Sequence, residues 1–488
     1  MAKTGSRETL YFDAKDHELL TMVNAFLDHG PQSSGPDDSL FLHPALHPHG
    51  IKELALSREI RVAYAVINLL DSFDTGHAQG RIGALRALYD EALAAPEVSF
   101  RNNTGRVLIQ IMKDLVRAHG NREAQLRLAH DFRRAATGKQ RVVRKMLRRY
   151  FLLEMPEAWN QIAFDNHVHD ANTKGRKSPT QLIMDAWIKG LRNIDVVYYN
   201  FVEPVALTEL LQAAEIMGIK VRVGVEFQAR FRGRFIQITW QPRDFLDWRD
   251  MLALFKREPA LGLMRQGREA SRHHHEYVLR LLDAYNNRHR SALGALYGVT
   301  LPELSEEDLR HFVGIGQTSK THLAELIYQC VVSAFADGMD ARRARYAAGD
   351  AAERARLEEQ VAAVNCLSPE AIYAEWLGPE KNPSVVLPAD KLEDECLPPI
   401  RRLSPPELVR LLTGIHPTSH IALNLTGLTA EDVLELVYTC DGHISHLEMF
   451  NLKNYADGKM TGVGAISELQ TAINGGSVIA LKRLIRKY

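Results

Sequence analysis

The sequence is poor in cysteine and carries no excess of charge of either sign. Four cysteines in 488 residues, Cys330, Cys366, Cys396 and Cys440, form no CxxC pair. That excludes a paired-thiolate zinc module and a disulfide-built scaffold, and predicts a reducing compartment. Sixty Lys and Arg balance sixty Asp and Glu, so any charged recognition has to come from local patches rather than from the chain as a whole. No run of about 18 apolar residues is available to cross a bilayer, and the opening MAKTGSRETLYFDAKDHELL has no apolar signal core. The expectation is a cytoplasmic protein without a membrane partner. What the chain does have is material for a core: 45% hydrophobic with 25% charged residues is an ordinary globular composition, at a length that allows two or three domains.

Periodicity divides the chain near residue 160. Residues 1–160 show apolar positions at helical spacing in REIRVAYAVINLLDSF, GRVLIQIMKDLVRAH and QRVVRKMLRRYFLLEM, which predicts an all-helical N-terminal domain. From about residue 161 short apolar runs alternate with amphipathic stretches. IDVVYYNF, IKVRVGVEF and RFIQITW read as strands, while SPTQLIMDAWIKGL and VALTELLQAAEIMG read as helices between them. Ser178 and Pro179 suit an N-cap and first turn, and Gly190 and Gly218 are placed to end these helices. Such a βα alternation predicts a parallel sheet or barrel over 161–488, with chemistry at the strand ends. An Ala-, Arg- and Glu-rich helical insertion is expected over about 330–365.

The stretch FDNHVHDANTKGRKSP at 164–179 sets His167 and His169 one residue apart at a strand end. Side chains alternate along a strand, so the pair faces one side, and neutral imidazoles suit Zn, Mn or Fe. DNHVHDANTKGRKSP, GLRNIDVVYYN, GIKVRVGVE, TLPELSEEDLRHFVGIGQTSKTHLAELI and LTAEDVLELVYTCDGHISHLEMFN follow in order. Together they resemble the motifs of the polymerase and histidinol phosphatase (PHP) superfamily of distorted, metal-dependent α/β barrels, over about 160–488.

That resemblance implies a ligand set position by position: His167 and His169 as the first pair, Glu226 as the bridging and catalytic glutamate, and His322 as the signature histidine. It also shows departures. Lys174 stands at the family's Ser-Asp-Gly carboxylate, Tyr199 at its second-strand histidine with Tyr198 at the preceding aspartate, Gln237 and Asn424 at two later histidines. The family's final Asp-x-His strand is expected to be absent from this sequence. A multinuclear site needs several anionic or imidazole ligands, and a lysine ammonium opposes a neighbouring cation. At most one divalent ion, Zn, Mn or Fe, is expected on His167, His169, Glu226 and His322.

Lys174 and Arg176, with Arg230, Arg232 and Tyr199, are instead candidates to hold a phosphorylated or other anionic ligand, since guanidinium groups match phosphate in bidentate geometry. The alternation of Arg230, Arg232 and Arg234 with Phe227, Phe231 and Phe235 also fits a strand that buries its rings and exposes its cations. Consecutive histidines His273, His274 and His275 point about 100° apart on a helix and cannot chelate together; a solvated helix is expected there. The basic segment GKQRVVRKMLRRY could meet nucleic acid, but a surface helix with an apolar stripe is the favoured reading. Three functions follow: a PHP-like protein with a depleted metal site that binds an anionic ligand with little or no hydrolysis, a single-metal hydrolase of phosphoesterase or amidohydrolase type, or a protein or nucleic-acid interaction module.

Overall fold

A computed structural model describes residues 12–29, 56–75, 77–93, 100–155, 164–173, 175, 177–314, 316–385, 397–448 and 463–487. Lys174 and Arg176 lie outside them, as do Cys396 and Asn451. The described chain forms two compact units: 1–168 with 177–195 and 204–222, and 169–176 with 196–203 and 223–488.

The first unit is built mainly from helices α1 (Ala14–His29), α2 (Arg58–Thr75), α3 (Ala78–Leu88), α4 (Arg101–Arg117), α5 (Arg122–Ala136), α6 (Gln140–Arg149), α7 (Pro179–Lys189) and α8 (Pro204–Met217). The local chemistry is that of ordinary helix ends. Asn121 Oδ1 accepts from the Ala124 amide at 3.1 Å to start α5, and Ser178 Oγ accepts from Gln181 N at 3.3 Å, with Pro179 as the first residue of α7. Gly190 ends α7 with φ 85°, a conformation an L side chain adopts only with strain. In α6, Val143, Met146 and Leu147 are buried while Arg141, Arg144, Lys145, Arg148 and Arg149 are exposed, the stripe that the sequence pattern requires.

Polar groups also cross this unit's interior. Glu209 on α8 accepts from Arg81 Nε and Nη2, at 2.7 and 2.8 Å, and from Thr180 N and Oγ1 at 3.2 and 2.8 Å. One carboxylate thus ties α3, α7 and α8 together. On α7, burial pushes the Asp185 carboxyl up, but the hydrogen bonds and charges of Lys113 and Lys177 together outweigh it and hold the group below its ordinary range.

The strands are β1 (Phe164–Val168), β2 (Asn193–Tyr199), β3 (Lys220–Phe231), β4 (Arg234–Pro242), β5 (Ser419–Asn424) and β6 (His446–Glu448), and the sheet takes them in that sequential order. Within the second unit β3 and β4 pair antiparallel, from Val225 opposite Trp240 to Phe231 opposite Arg234. β4 and β5 are also antiparallel, whereas β5 and β6 run parallel. The sheet is therefore mixed, not uniformly parallel as the βα alternation suggests. Its reason is local: Arg232 and Gly233 both take positive φ, 46° and 77°, the two-residue hairpin turn whose twist matches that of the strands it joins. Along β3 and its turn, Phe227 and Phe231 are buried while Arg230, Arg232 and Arg234 are exposed.

The second unit continues with α9 (Trp248–Phe255), α10 (Ala260–Ala284), α11 (Arg290–Tyr297), α12 (Glu306–Val313), α13 (Lys320–Asp337), α14 (Met339–Ala348), α15 (Ala351–Cys366), α16 (Pro399–Arg402), α17 (Pro405–Ile415), α18 (Ala430–Thr439), α19 (Val463–Asn474) and α20 (Val478–Lys487). Tyr277 and Leu281 from α10, Tyr285 just after it, Leu293 from α11, Leu309 from α12 and Leu323 and Ile327 from α13 share one apolar core. Capping boxes start α12 at Ser305 with Asp308, α17 at Ser404 with Glu407 and α18 at Thr429 with Asp432. No helix among the described residues is long and apolar enough to cross a membrane.

Candidate functional site

Of the residues nominated from the sequence, the second unit brings His169 and Tyr199 together. His169 stands just after β1, and its Nδ1 lies 2.7 Å from the backbone oxygen of Val197 on β2. A carbonyl oxygen can only accept, so in the neutral ring Nδ1 carries the proton and Nε2 presents its lone pair. That lone pair meets Tyr199 Oη at 3.2 Å, with the ring centroids 4.8 Å apart. Burial above all, and then the charges of Glu226 and Glu448, push the Tyr199 phenol well above its ordinary value. It stays protonated at neutral pH and donates to His169.

Two carboxylates complete this group. Glu226 on β3 is buried, and its backbone oxygen accepts from Asn200 N at 2.8 Å. Glu448 on β6 lies opposite Asn424 of β5 and accepts from its Nδ2 at 3.3 Å. Asn424 thus acts as a hydrogen-bond donor to Glu448.

The segment that carries His169 is fastened from below by residues that sequence reasoning passed over. Asp170 is fully buried and accepts from Asn172 N at 2.8 Å, Asn172 Nδ2 at 3.1 Å and Tyr198 Oη at 2.7 Å. Tyr198, read as a departure from an aspartate, is therefore a buried hydrogen-bond donor. Gln317 gives a second fastening: its amide N donates to Thr173 O at 3.2 Å, its Nε2 to Tyr199 O at 2.7 Å, and its Oε1 accepts from Ser271 Oγ at 2.9 Å. Gly175 closes the segment by donating to Asp170 O at 2.9 Å, and a Cβ there would collide with the His169 carbonyl, so glycine is required by close approach.

Other nominated residues have contacts of their own. His167 is half-buried on β1 in the first unit, its amide 3.3 Å from Asp165 Oδ1. His322 is a buried third residue of α13, whose amide donates to Ser319 Oγ at 3.2 Å. Arg232 bonds Asp432 at 3.0 Å and also Glu435, while Arg234 bonds Asp432 and the Gly427 carbonyl. Those arginines fasten the β3–β4 turn to α18. The three consecutive histidines depart from the expected solvated helix: all are half-buried, because α10 packs against α13 and α16, and His275 Nδ1 lies 3.0 Å from Thr318 Oγ1.

Among the described residues no three His, Cys, Asp or Glu side chains converge at metal-holding spacing, and the Nε2 of His169 faces a neutral phenol.

No protein-family model matches the chain, and no curated protein matches it. Among solved structures the chain is similar to a proposed metal-dependent phosphoesterase from Bifidobacterium adolescentis, at 13% identity and a TM-score of 0.38, covering 64% of this chain and 85% of that one. It is also similar to an amidohydrolase from Chromobacterium violaceum with bound sulfate and no metal, at 14% identity and a TM-score of 0.35, covering 60% of this chain and 81% of the other.

Proposed function

We propose that the chain is a PHP-like α/β protein with a depleted metal site, which binds a phosphorylated or other anionic small molecule and performs little or no hydrolysis of the kind the resemblance implies. The observation that carries this reading is Tyr199 Oη 3.2 Å from His169 Nε2. A metal ligand must offer a lone pair to the ion, and here the imidazole lone pair accepts a hydrogen bond from a phenol that burial keeps neutral. To bind an ion there, the protein would have to break that bond and turn Tyr199 aside in a buried setting.

Glu226 retains a carboxylate beside this pair, but a hydrolytic role for it needs an activated water, and among the described residues no three His, Cys, Asp or Glu side chains converge to hold an ion that would activate one. Lys174, Arg176 and Arg230 belong to the proposal as cations that an anionic ligand could meet.

The test is turnover of bis(p-nitrophenyl) phosphate by the full chain with added Zn²⁺, Mn²⁺ or Fe²⁺. The expected rate equals that of the metal ion alone. Saturable turnover that disappears in Glu226→Ala would overturn the depleted-site reading in favour of a single-metal hydrolase.

A further inference from the structure

Helix α6 ends on a residue that its backbone does not favour. Leu152 N donates to Leu147 O at 2.8 Å and Phe151 N to Arg148 O at 3.4 Å, the paired bonds of a Schellman motif, whose left-handed position is usually glycine. Helix α7 closes with the same pair, Leu191 N to Ala186 O at 2.9 Å and Gly190 N to Trp187 O at 3.0 Å, and has Gly190 in that place. In α6 the place is taken by Phe151, at φ 55°, a conformation that strains a bulky L side chain. The ring gains no burial in return: Phe151 is 95% exposed, and Leu153 two residues on is 76% exposed. Packing within the chain therefore does not explain the phenylalanine; a partner that covers the ring does.

The surface beside the ring selects the kind of partner. Between Asp131 and Glu154 the chain has eight Arg and Lys residues and no acid, although the sequence as a whole is neutral. On α6, Arg141, Arg144, Lys145 and Arg148 are all exposed and fall within about 100° of one another around the helix, opposite the buried Val143, Met146 and Leu147. They span about 10 Å of its axis, which is about one screening length at 0.1 M salt, so a polyanion meets them as one patch. Arg144 is offset by Glu154 at 2.9 Å and Arg149 by Asp131 at 2.7 Å, but Arg141 and Arg148 have no acidic partner among the described residues.

We propose that α6 and the turn that ends it bind single-stranded nucleic acid, the cations following the phosphates and the Phe151 ring stacking on a base. A cationic track with an aromatic platform beside it is how such strands are held without sequence preference. An anionic membrane fits less well, because the apolar face of α6 is buried inside the protein and cannot enter lipid. This surface belongs to the first unit and uses none of the residues proposed to hold the small anionic ligand, so its test is independent of that reading.

The experiment is fluorescence anisotropy of labelled oligo(dT) and oligo(U), about 16 nucleotides long, titrated with the full chain over a salt series. The matching DNA duplex and phosphatidylserine vesicles serve as alternative partners. The wild type is expected to bind the single strands with a Kd below about 100 µM at low salt, and more weakly as salt rises. Tighter binding of one strand identifies DNA or RNA as the class of partner; either result supports the surface. Replacing both Arg141→Ala and Arg148→Ala should reduce the slope of log affinity against log salt by about 1.4. Phe151→Gly, which supplies the residue that the helix end prefers, is expected to melt as the wild type does yet bind the strands roughly tenfold more weakly. Arg343→Ala, exposed in the second unit, should change neither quantity. The proposal is overturned by no saturable strand binding, by unchanged affinity in Phe151→Gly, by duplex binding as tight as that of the single strands, or by binding to the vesicles alone. If Phe151→Gly does not fold, an unchanged salt slope in the double arginine variant overturns it instead.

Discussion

Asp170→Ala is expected to destabilise the protein by about 3–5 kcal/mol, on the scale of breaking a buried charged hydrogen-bond group. The carboxylate is fully buried and gathers the Asn172 amide, the Asn172 side chain and the Tyr198 hydroxyl. Its removal deletes three bonds to a charged acceptor and leaves the hydroxyl of Tyr198, itself fully buried, without that partner. The segment that follows β1 is then held mainly by Gln317 and the Gly175 turn. Urea denaturation measures the loss, and proteolysis should locate it near residues 169–177. Tyr198→Phe in the Asp170→Ala background should cost little more, because the pair acts as one interaction and its energy is not counted twice. A destabilisation below about 1 kcal/mol for Asp170→Ala would show that the network contributes no more than an ordinary hydrogen bond.

Glu209→Ala is expected to cost the first unit a similar amount, about 3–5 kcal/mol. Here a bidentate partner is removed from Arg81, whose residue is 9% exposed, and two further donors on Thr180 lose their acceptor. The penalty comes from stranding a buried guanidinium rather than from the gross strength of the pair, so the double variant Arg81→Met with Glu209→Leu should recover most of the loss. Denaturation curves of the two variants test this directly: equal destabilisation of both would contradict the account.

Several features were legible in the sequence because they depend on neighbours along the chain. Ser178, Pro179 and Gly190 mark the ends of α7 by side-chain type alone, and the spacing of Val143, Met146 and Leu147 shows the inward stripe of α6. Tyr199 was equally visible as a residue type. Its consequence was not, because the contact with His169 Nε2 joins residues thirty positions apart in the chain.

Other features required long-range partners that periodicity does not carry. Asp170 reads as one more polar residue beside the histidines, and nothing local indicates that a tyrosine on β2 will bond it. Gln317 belongs to a loop whose three partners come from separate segments. The β3–β4 hairpin was obscured because the alternation of Phe and Arg continues through Arg232 and Gly233, hiding the turn inside what reads as strand. His273 to His275 read as solvated because helical geometry forbids joint chelation, but that geometry says nothing about which other helices cover them.

The most direct measurement of the central claim is the metal content of the purified full chain after incubation with Zn²⁺, Mn²⁺ or Fe²⁺ and removal of free ion. With His169 Nε2 accepting from a neutral Tyr199, the bound metal should be well below one ion per chain and unchanged in His169→Ala. One tightly held divalent ion per chain, lost in His169→Ala, would contradict the account.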